Sequence, residues 1–219
     1  MGKRIITQNN LLMVRYILLL FLSFSYIGSQ AQVKIGAQLS PTLSFNRLDD
    51  DDALEEFGNS GVGGRLIAGA IVDYMFQENY YLSSGIFFIP KRVGIESATD
   101  GRDEVSRLHY IQLPATAKLF TNEIALDVRL YFQAGFALDI KILEDNLSDD
   151  PQFVSEFSPV DASLLLGTGA EYQLGYNTIL FGGFSYRRGL GNVVRSTDAD
   201  VGDLVIKNDL FSLDMGIKF

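Results

Sequence analysis

Charged side chains recur at every second position in several stretches of this sequence, opposite a face of large apolar residues. Seven cations and six anions occupy the charged face. They are Lys34, Arg65, Asp73, Lys118, Asp127, Arg129, Asp139, Lys141, Asp161, Glu171, Arg187, Asp214 and Lys218. Side chains at positions i and i+2 lie on one face of a β-strand. Because buried charges must be paired to be stable, this near balance predicts a packed network of structural ion pairs.

The sequence contains one histidine, His109, which is the natural candidate for acid–base catalysis near neutral pH. It alternates with Ile111 and Leu113, which places it on the apolar face. The Gly-x-Ser-x-Gly turn that presents a nucleophilic serine in many hydrolases does not occur. We therefore predict no catalytic residue and interpret His109 as an interfacial side chain. A hydrolase that uses His109 is the alternative.

Three acidic groups lie outside the alternating stretches. They are Asp49–Asp52 with Glu55 and Glu56, then Glu144, Asp145, Asp149, Asp150 and Glu156, and finally Asp198, Asp200 and Asp203. The first run lacks the alternating ligand spacing and closing glutamate of a Ca²⁺-binding loop. We interpret the groups as solvated loops; a surface for divalent cations or a basic partner is the alternative. Because the chain has no cysteine, thiolate metal sites are excluded, and no metal or cofactor is predicted.

Eight stretches of alternating character must position the charged face. They are Val33–Phe45, Gly64–Phe76, Tyr80–Lys91, Arg107–Thr121, Leu126–Lys141, Val160–Leu174, Thr178–Leu190 and Asp209–Phe219. Short turns at 77–79, 122–123 and 175–177 alternate with long connections at 46–63, 93–106, 143–159 and 191–207. Short turns at one end and long loops at the other are typical of membrane barrels. The pattern predicts an all-β fold, an eight-stranded antiparallel up-and-down transmembrane β-barrel with short periplasmic turns and long outer loops.

Composition and the last stretch agree with this fold. The chain has 219 residues, of which 47% are hydrophobic, with 21 glycines, 16 phenylalanines and 10 tyrosines. The last stretch places Phe211, Leu213, Met215, Ile217 and Phe219 on one face. A final strand ending on an aromatic residue resembles the signal that the barrel assembly machinery reads in outer-membrane proteins. We therefore expect these five residues to form a C-terminal assembly signal.

The first residues have the order of a secretory signal. Lys3, Arg4 and Arg15 precede the apolar run 16–24, and small or polar residues follow up to Ala31. An apolar run of roughly ten residues is short for a membrane-spanning helix, which needs about 20. We expect residues 1–31 to be a cleaved signal peptide and residues 32–219 to form the barrel domain. The expected location is the outer membrane of a Gram-negative bacterium.

Several segments resemble the small outer-membrane β-barrel family of Bacteroidetes, in which PorT-like proteins are grouped. The similar segments are Val33–Ser40, Tyr110–Lys118 (a Tyr-x-x-Leu-Pro-x-x-x-Lys pattern), Phe132–Gly135, Leu166–Tyr172 and Tyr186–Leu190. One departure is Gly85, where the family pattern has an inward glutamate. The resemblance implies an outer-membrane location and a barrel fold, and PorT itself is tied to protein secretion.

These observations favour a membrane-anchored scaffold or interaction protein with a role in secretion or envelope integrity. Its expected partners are outer-membrane lipids, the barrel assembly machinery and other envelope or secretion proteins. The net charge of −9 argues against nucleic acid as a partner. An eight-stranded lumen is too narrow for a porin. A secreted soluble barrel that binds a small ligand and a hydrolase in the barrel wall are the alternatives.

Overall fold

The computed structural model describes residues 33–48, 57–59, 63–97, 103–146, 154–197 and 205–219. Within these ranges lie the strands β1 (Val33–Leu48), β2 (Phe57–Asn59), β3 (Gly63–Gln77), β4 (Tyr80–Ser97), β5 (Asp103–Phe120), β6 (Val128–Asn146), β7 (Val154–Phe157), β8 (Val160–Gln173), β9 (Ile179–Gly189), β10 (Val194–Thr197) and β11 (Ile206–Lys218). The same ranges contain no helix that is long and apolar enough to cross a membrane. The predicted secretory signal and most of the acidic residues named above, Asp49–Asp52 among them, lie outside the described residues.

Eight long strands form a closed antiparallel barrel. Their order is β1, β3, β4, β5, β6, β8, β9 and β11, and β11 returns to β1. At this seam Leu39 lies opposite Met215 and Leu43 lies opposite Phe211. Each long strand pairs with the long strands before and after it in sequence. The structure therefore confirms the predicted eight-stranded up-and-down barrel.

The three short connections of the barrel lie at the same end. They link β3 to β4 at 78–79, β5 to β6 at 121–127 and β8 to β9 at 174–178. At this end the backbone of Ile35 also exchanges hydrogen bonds of 3.1 and 2.8 Å with Phe219. We call it the short-turn end and the opposite one the long-connection end. Asn79 and Asp127 have positive φ angles of 65° and 61°, a conformation that these residue types tolerate in tight turns.

Regular structure extends further than the alternation predicts. The prediction of a long connection at 93–106 was wrong, because β4 and β5 remain paired out to Glu96 and Asp103. The strand β2 adds to β4 beside this hairpin, and β7 pairs with β10 above the barrel. These pairings satisfy backbone groups that a bare loop would leave to water. The fifth strand begins at Val128 rather than at the predicted Leu126, because the positive φ of Asp127 ends the extended backbone.

The barrel interior holds both apolar clusters and buried polar groups. One cluster consists of Ile67, Ile71, Phe87, Ile89 and Leu210. A second, nearer the short-turn end, consists of Tyr81, Phe120 and Tyr131, with Met75 packed against it. Both sets lie on inward faces, where buried charged side chains occupy neighbouring positions. The lumen is therefore lined by apolar clusters and buried polar groups together.

Candidate functional site

The first polar network lies in the half of the lumen near the short turns, and we call it the Asp73 network. The Lys118 ammonium donates to both carboxylate oxygens of Asp73 at 3.1 Å. Lys218 donates to Asp73 at 2.6 Å and also to Glu171. All four side chains are at least 97% buried. The arrangement holds two ammonium groups and two carboxylates out of water, which is the composition that neutralises a buried cluster.

Aromatic rings and a half-buried arginine complete the Asp73 network. The Lys118 ammonium lies 5.1 Å from the centroid of the Tyr131 ring, and that of Lys218 lies 4.6 Å from the centroid of Phe181. Such cation–π contacts stabilise ammonium groups that have lost their water. The Arg129 guanidinium lies 3.8 Å from the Glu171 carboxylate at the rim of the barrel. These contacts leave the ammonium groups little freedom to move.

The second network lies nearer the long-connection end and is centred on Lys91. The Lys91 ammonium donates to Asp139 and to Asp161, each at 2.7 Å. All three side chains are at most 1% exposed. The Gln112 amide donates to the other oxygen of Asp139 at 2.6 Å, and the backbone N–H of Ala162 donates to Asp161 at 2.8 Å. One lysine therefore joins strands β4, β6 and β8. We call this set the Lys91 network.

Arg187 extends the Lys91 network across the lumen. Its guanidinium donates to Gln112 at 3.2 Å, to Ser185 at 3.1 Å and to Ser212 at 2.9 Å. The Ser212 hydroxyl shares a 2.8 Å hydrogen bond with Thr42 of β1. With the Asp73 network on β3, these contacts tie together all eight strands of the barrel.

The thirteen predicted charged positions do not all meet. The structure brings together Asp73, Lys118, Arg129, Glu171 and Lys218 in one network, and Asp139, Asp161 and Arg187 in the other. Asp214 is buried, and its Oδ1 accepts no hydrogen bond from the described residues.

The remaining predicted positions lie at the ends of the barrel. Lys34 is half-buried, with its ammonium 5.5 Å from the centroid of the Tyr81 ring. Arg65 donates to the carbonyl of Gly64 at 2.9 Å near the long-connection end. Asp127 lies in a turn, and Lys141 donates to Glu144 at 2.7 Å outside both networks.

The sequence analysis did not predict Lys91 or the neutral members of the networks. Lys91 follows Phe87 and Ile89 at alternate positions, and all three side chains face the lumen. Because these two neighbours are apolar, the alternation does not identify this face of β4 as the polar one. Gln112 is fully buried on the inward face, but a single amide has no pattern that reveals a bond to Asp139. Alternation continued along β4 through Phe87 and Ile89 predicts that Lys91 also faces inward.

The space between the two networks is nearly full. A cavity of about 20 Å³ lies there, lined in part by Gln38, Ile71, Phe87, Gln133 and Arg187. That volume holds about one water molecule. The Phe87 ring also lies over Gly85, so that a Cβ atom at Gly85 would meet this ring and the carbonyl of Ala70. The described residues of the lumen therefore leave no wide passage for solutes between the two networks.

Replacing Gly85 by alanine is expected to lower the free energy of unfolding by about 1–3 kcal/mol, because the added methyl group overpacks a full lumen. The matched control is Gly182→Ala, since a Cβ atom at Gly182 meets only the Asp214 carbonyl oxygen at 3.8 Å. That variant is expected to stay within about 0.5 kcal/mol of the parent. Urea unfolding in detergent micelles measures both. Equal effects of the two substitutions would contradict this account.

A polar recess opens at the short-turn end of the lumen. It encloses about 260 Å³ and is lined by Glu123, Asp127, Arg129, Glu171, Gln173 and Ile179. Among the described residues, no group of three or more histidine, aspartate or glutamate side chains is arranged to hold a metal ion. Because Arg129 and Glu171 line the recess, it forms the mouth of the lumen beside the Asp73 network.

The outward face of the barrel is apolar. Predicted assembly-signal residues illustrate this: Phe211, Leu213, Met215 and Phe219 are 42–64% exposed, and Ile217 is half-buried on the same face. His109 also lies outward, half-buried, with its ring stacked on Phe88 at 5.4 Å between centroids. Exposed apolar side chains around a polar interior invert the usual arrangement of a water-soluble protein. An apolar outer band of this kind matches the hydrocarbon layer of a membrane.

Comparisons with known proteins agree with this geometry. Residues 29–195 match the sequence model of a family described as "Outer membrane protein beta-barrel domain". No match to a curated protein was found. The fold is similar to that of the outer membrane protein OprG from Pseudomonas aeruginosa, with a TM-score of 0.54 and 13% sequence identity over 88% of this chain and 98% of that one.

Two further solved structures are similar at lower scores. For Neisserial surface protein A (NspA) the TM-score is 0.49, with 13% identity over 85% of this chain and 97% of that one. For the outer membrane protease OmpT from Escherichia coli the TM-score is 0.47, with 10% identity over 87% of this chain and 97% of that one. At these identities the likeness to OprG shows a shared fold.

Proposed function

We propose, from the premise that the chain belongs to the outer membrane protein β-barrel domain family, that it is a non-conducting barrel that acts as a membrane-anchored scaffold. Its proposed location is the outer membrane of a Gram-negative bacterium, with the short turns in the periplasm. There it would contact outer-membrane lipids and, during insertion, the barrel assembly machinery. The resemblance to PorT-like proteins of Bacteroidetes supports a role beside other envelope or secretion proteins.

The filled lumen is the observation that carries this proposal. Lys91 bridges Asp139 and Asp161 across one half, while Asp73 bridges Lys118 and Lys218 across the other. A solute or hydrated ion would have to displace these pairs, and each displaced charge would be left without its partner. Eight strands leave an interior that side chains can fill. The lumen therefore supports a structural role rather than transport.

Planar-bilayer recording tests the absence of conductance. The purified full chain is expected to give no stable single-channel steps, because the cavity between the two networks has room for about one water. A porin of 16–18 strands, which has an aqueous channel, serves as the positive control in the same membrane. Large, long-lived current steps from the full chain would contradict the proposal.

A scaffold must present a surface to its partner, and the long-connection end has the structure to do so. Here the β4–β5 hairpin reaches Glu96 and Asp103, and β7 and β10 form a separate two-stranded sheet. Chemical cross-linking in native membranes, followed by co-purification, would identify envelope proteins in contact with these elements. Recovery of the chain alone under cross-linking conditions would count against the scaffold role.

The alternative functions have less support. A soluble ligand-binding barrel would need an apolar interior and a polar exterior, whereas Phe211 and Met215 lie outward and Asp139 and Lys91 lie inward. A barrel-wall hydrolase would need its histidine beside a nucleophile. His109 instead lies on the outward face and stacks on Phe88. Membrane fractionation and hydrolase assays with His109→Ala distinguish these alternatives from a scaffold.

A further inference from the structure

Two neighbouring connections at the short-turn end expose large apolar side chains. They are the β5–β6 connection at 121–127 and the β8–β9 connection at 174–178. The two meet where the Gln173 N–H donates to the Asp127 carbonyl at 2.8 Å. Four side chains of these connections are 57–100% exposed. They are Ile124, Leu126, Leu174 and Tyr176, which we call the apolar tips. Exposed apolar side chains that are grouped in this way mark a contact surface.

The polar recess at the short-turn end opens beside the apolar tips. Glu123 and Asp127 line it, and they are the direct sequence neighbours of Ile124 and Leu126. Neither carboxylate forms an ion pair or accepts a hydrogen bond within the part of the chain that the structure describes. Two negative charges are therefore available to a partner at the edge of an apolar surface.

The floor of the recess contains a buried acceptor. Glu171 is 2% exposed, and its Oε1 accepts a hydrogen bond from Lys218. Its Oε2 accepts no hydrogen bond from the described residues, although the Arg129 guanidinium lies 3.8 Å away. The same guanidinium lies 4.9 Å from the centroid of the Phe120 ring. A buried acceptor without a hydrogen bond is stabilised by a donor that enters the recess.

The charges around the recess favour a cation as the ligand. Its lining carries three carboxylates and one guanidinium. The two buried ammonium groups nearby are already paired within the Asp73 network. Lys34 lies on β1, which is on the opposite side of the barrel from β6. Because the described carboxylates are not arranged to hold a metal ion, the ligand class is an organic cation whose N–H groups reach separate oxygens.

We propose that the apolar tips and the recess together dock a segment of another envelope protein, one in which a lysine or arginine is flanked by apolar residues. The cation would enter the recess beside Glu123 and Asp127, and the flanking side chains would pack on Leu126 and Tyr176. The inference rests on the proposed function, because it names a partner class for the scaffold and places that partner at the short turns. A lipid surface is less suitable, since lipid phosphates repel the carboxylates beside the tips.

Peptide binding to the full chain in uncharged detergent micelles tests this surface. The probe is a fluorescently labelled, capped pentapeptide with a central lysine between leucines, and its matched form has glutamine in place of the lysine. Fluorescence anisotropy gives the Kd, with empty micelles as the background. The lysine peptide is expected to bind at least about tenfold more tightly, because hydrogen bonds to charged groups add to the apolar contact. Equal Kd values for the two peptides would overturn the proposal.

Two double variants separate the charged and the apolar contributions. Glu123→Gln/Asp127→Asn is expected to weaken binding of the lysine peptide by about tenfold or more, and asparagine tolerates the positive φ of Asp127. Leu126→Ser/Tyr176→Ser is expected to weaken it by about tenfold, because both side chains lose their apolar contact.

The matched control is Glu144→Gln, which removes a carboxylate near the opposite end of β6. It is expected to change the Kd by less than about twofold, because a charge more than a Debye length away is screened. An unchanged Kd in either double variant, or an equal loss in the control, would contradict the docking surface.

A single tryptophan distinguishes a protein partner from a lipid surface. The chain contains no tryptophan, so Tyr176→Trp introduces one fluorophore at an apolar tip. In micelles its emission is expected to shift to shorter wavelength when the lysine peptide is added. In vesicles it is expected to be insensitive to brominated lipids, and strong quenching would place the tips in the membrane and overturn the proposal. Planar-bilayer recording scores the proposed function separately, since current steps contradict a non-conducting barrel whether or not the peptide binds.

Discussion

Replacing Lys91 by methionine is expected to lower the free energy of unfolding by about 3–5 kcal/mol, because the buried carboxylates lose the cation that they share. The Lys91 ammonium contacts Asp139 and Asp161 at 2.7 Å each, and both carboxylates are fully buried. Methionine fills a similar volume, so the effect of the substitution comes from the charge rather than from a cavity. In the variant, two buried carboxylates would lie side by side at paired positions of the neighbouring strands β6 and β8, without the lysine that bridges them.

Urea unfolding of the full chain in lipid vesicles measures this loss. Lys141→Met provides a matched control, since Lys141 forms its ion pair with the more exposed Glu144 near the long-connection end. Because Glu144 stays in contact with water when Lys141 is lost, this ion pair is expected to contribute about 0–1 kcal/mol. A loss of less than about 1 kcal/mol for Lys91→Met, comparable to that of the control, would show that the lumen is hydrated enough to solvate the two carboxylates.

The second large effect is expected at Asp73. Asp73→Leu removes the carboxylate that accepts hydrogen bonds from both Lys118 and Lys218. Of these two lysines, Glu171 forms an ion pair only with Lys218. Lys118 would therefore keep the Tyr131 ring as its neighbour but no carboxylate within an ion-pair distance among the described residues. We expect a loss of about 3–5 kcal/mol in the free energy of unfolding. Circular dichroism followed through a urea titration in vesicles is the measurement.

A second substitution shows whether charge causes this loss. The double variant Asp73→Leu/Lys118→Met removes one anion and one cation together and leaves the pair of Lys218 and Glu171 intact. Replacing a whole buried pair by apolar residues of similar volume is often neutral or stabilising. The double variant is therefore expected to recover most of the stability lost in Asp73→Leu. If it were as unstable as the single variant, packing rather than charge balance would be the cause.

The two networks explain how a lumen with many buried charges can be stable. Each buried ammonium contacts at least one carboxylate, and each half of the barrel holds charges of both signs. The apolar cluster that contains Phe87 and Ile71 fills part of the lumen beside these pairs. Because the pairs join strands that are distant in sequence, they also oppose a change of register between neighbouring strands.

Much of the fold could be predicted from local pattern. A period of two assigns each side chain to one face, so Leu213 and Met215 could be placed outward and Ser212 and Asp214 inward before the barrel was known. Turn lengths placed the three tight connections at one end. Prediction failed where the local pattern stops: β4 and β5 continue past Lys91, because backbone pairing beyond the barrel needs no alternation of side chains.

The candidate site was less accessible to prediction. The sequence shows which charges face inward, but partners in the lumen come from different strands and meet only when register and barrel closure are defined. Lys91 lies 48 residues from Asp139 and 70 from Asp161, and no spacing rule connects them. The alternation predicts Asp127 on the charged face of the fifth strand, but its positive φ places it in a turn instead.

By itself the sequence therefore determined the faces of the strands, their number and the inverted distribution of polar and apolar residues, because these depend on a local period of two. Only the tertiary structure decided which charges pair and how full the lumen is. The physical reason is that ion pairs and packing depend on distances across the barrel. The contact of β1 with β11 sets the distance between Arg47 and Asp209, and the local pattern contains no information on it.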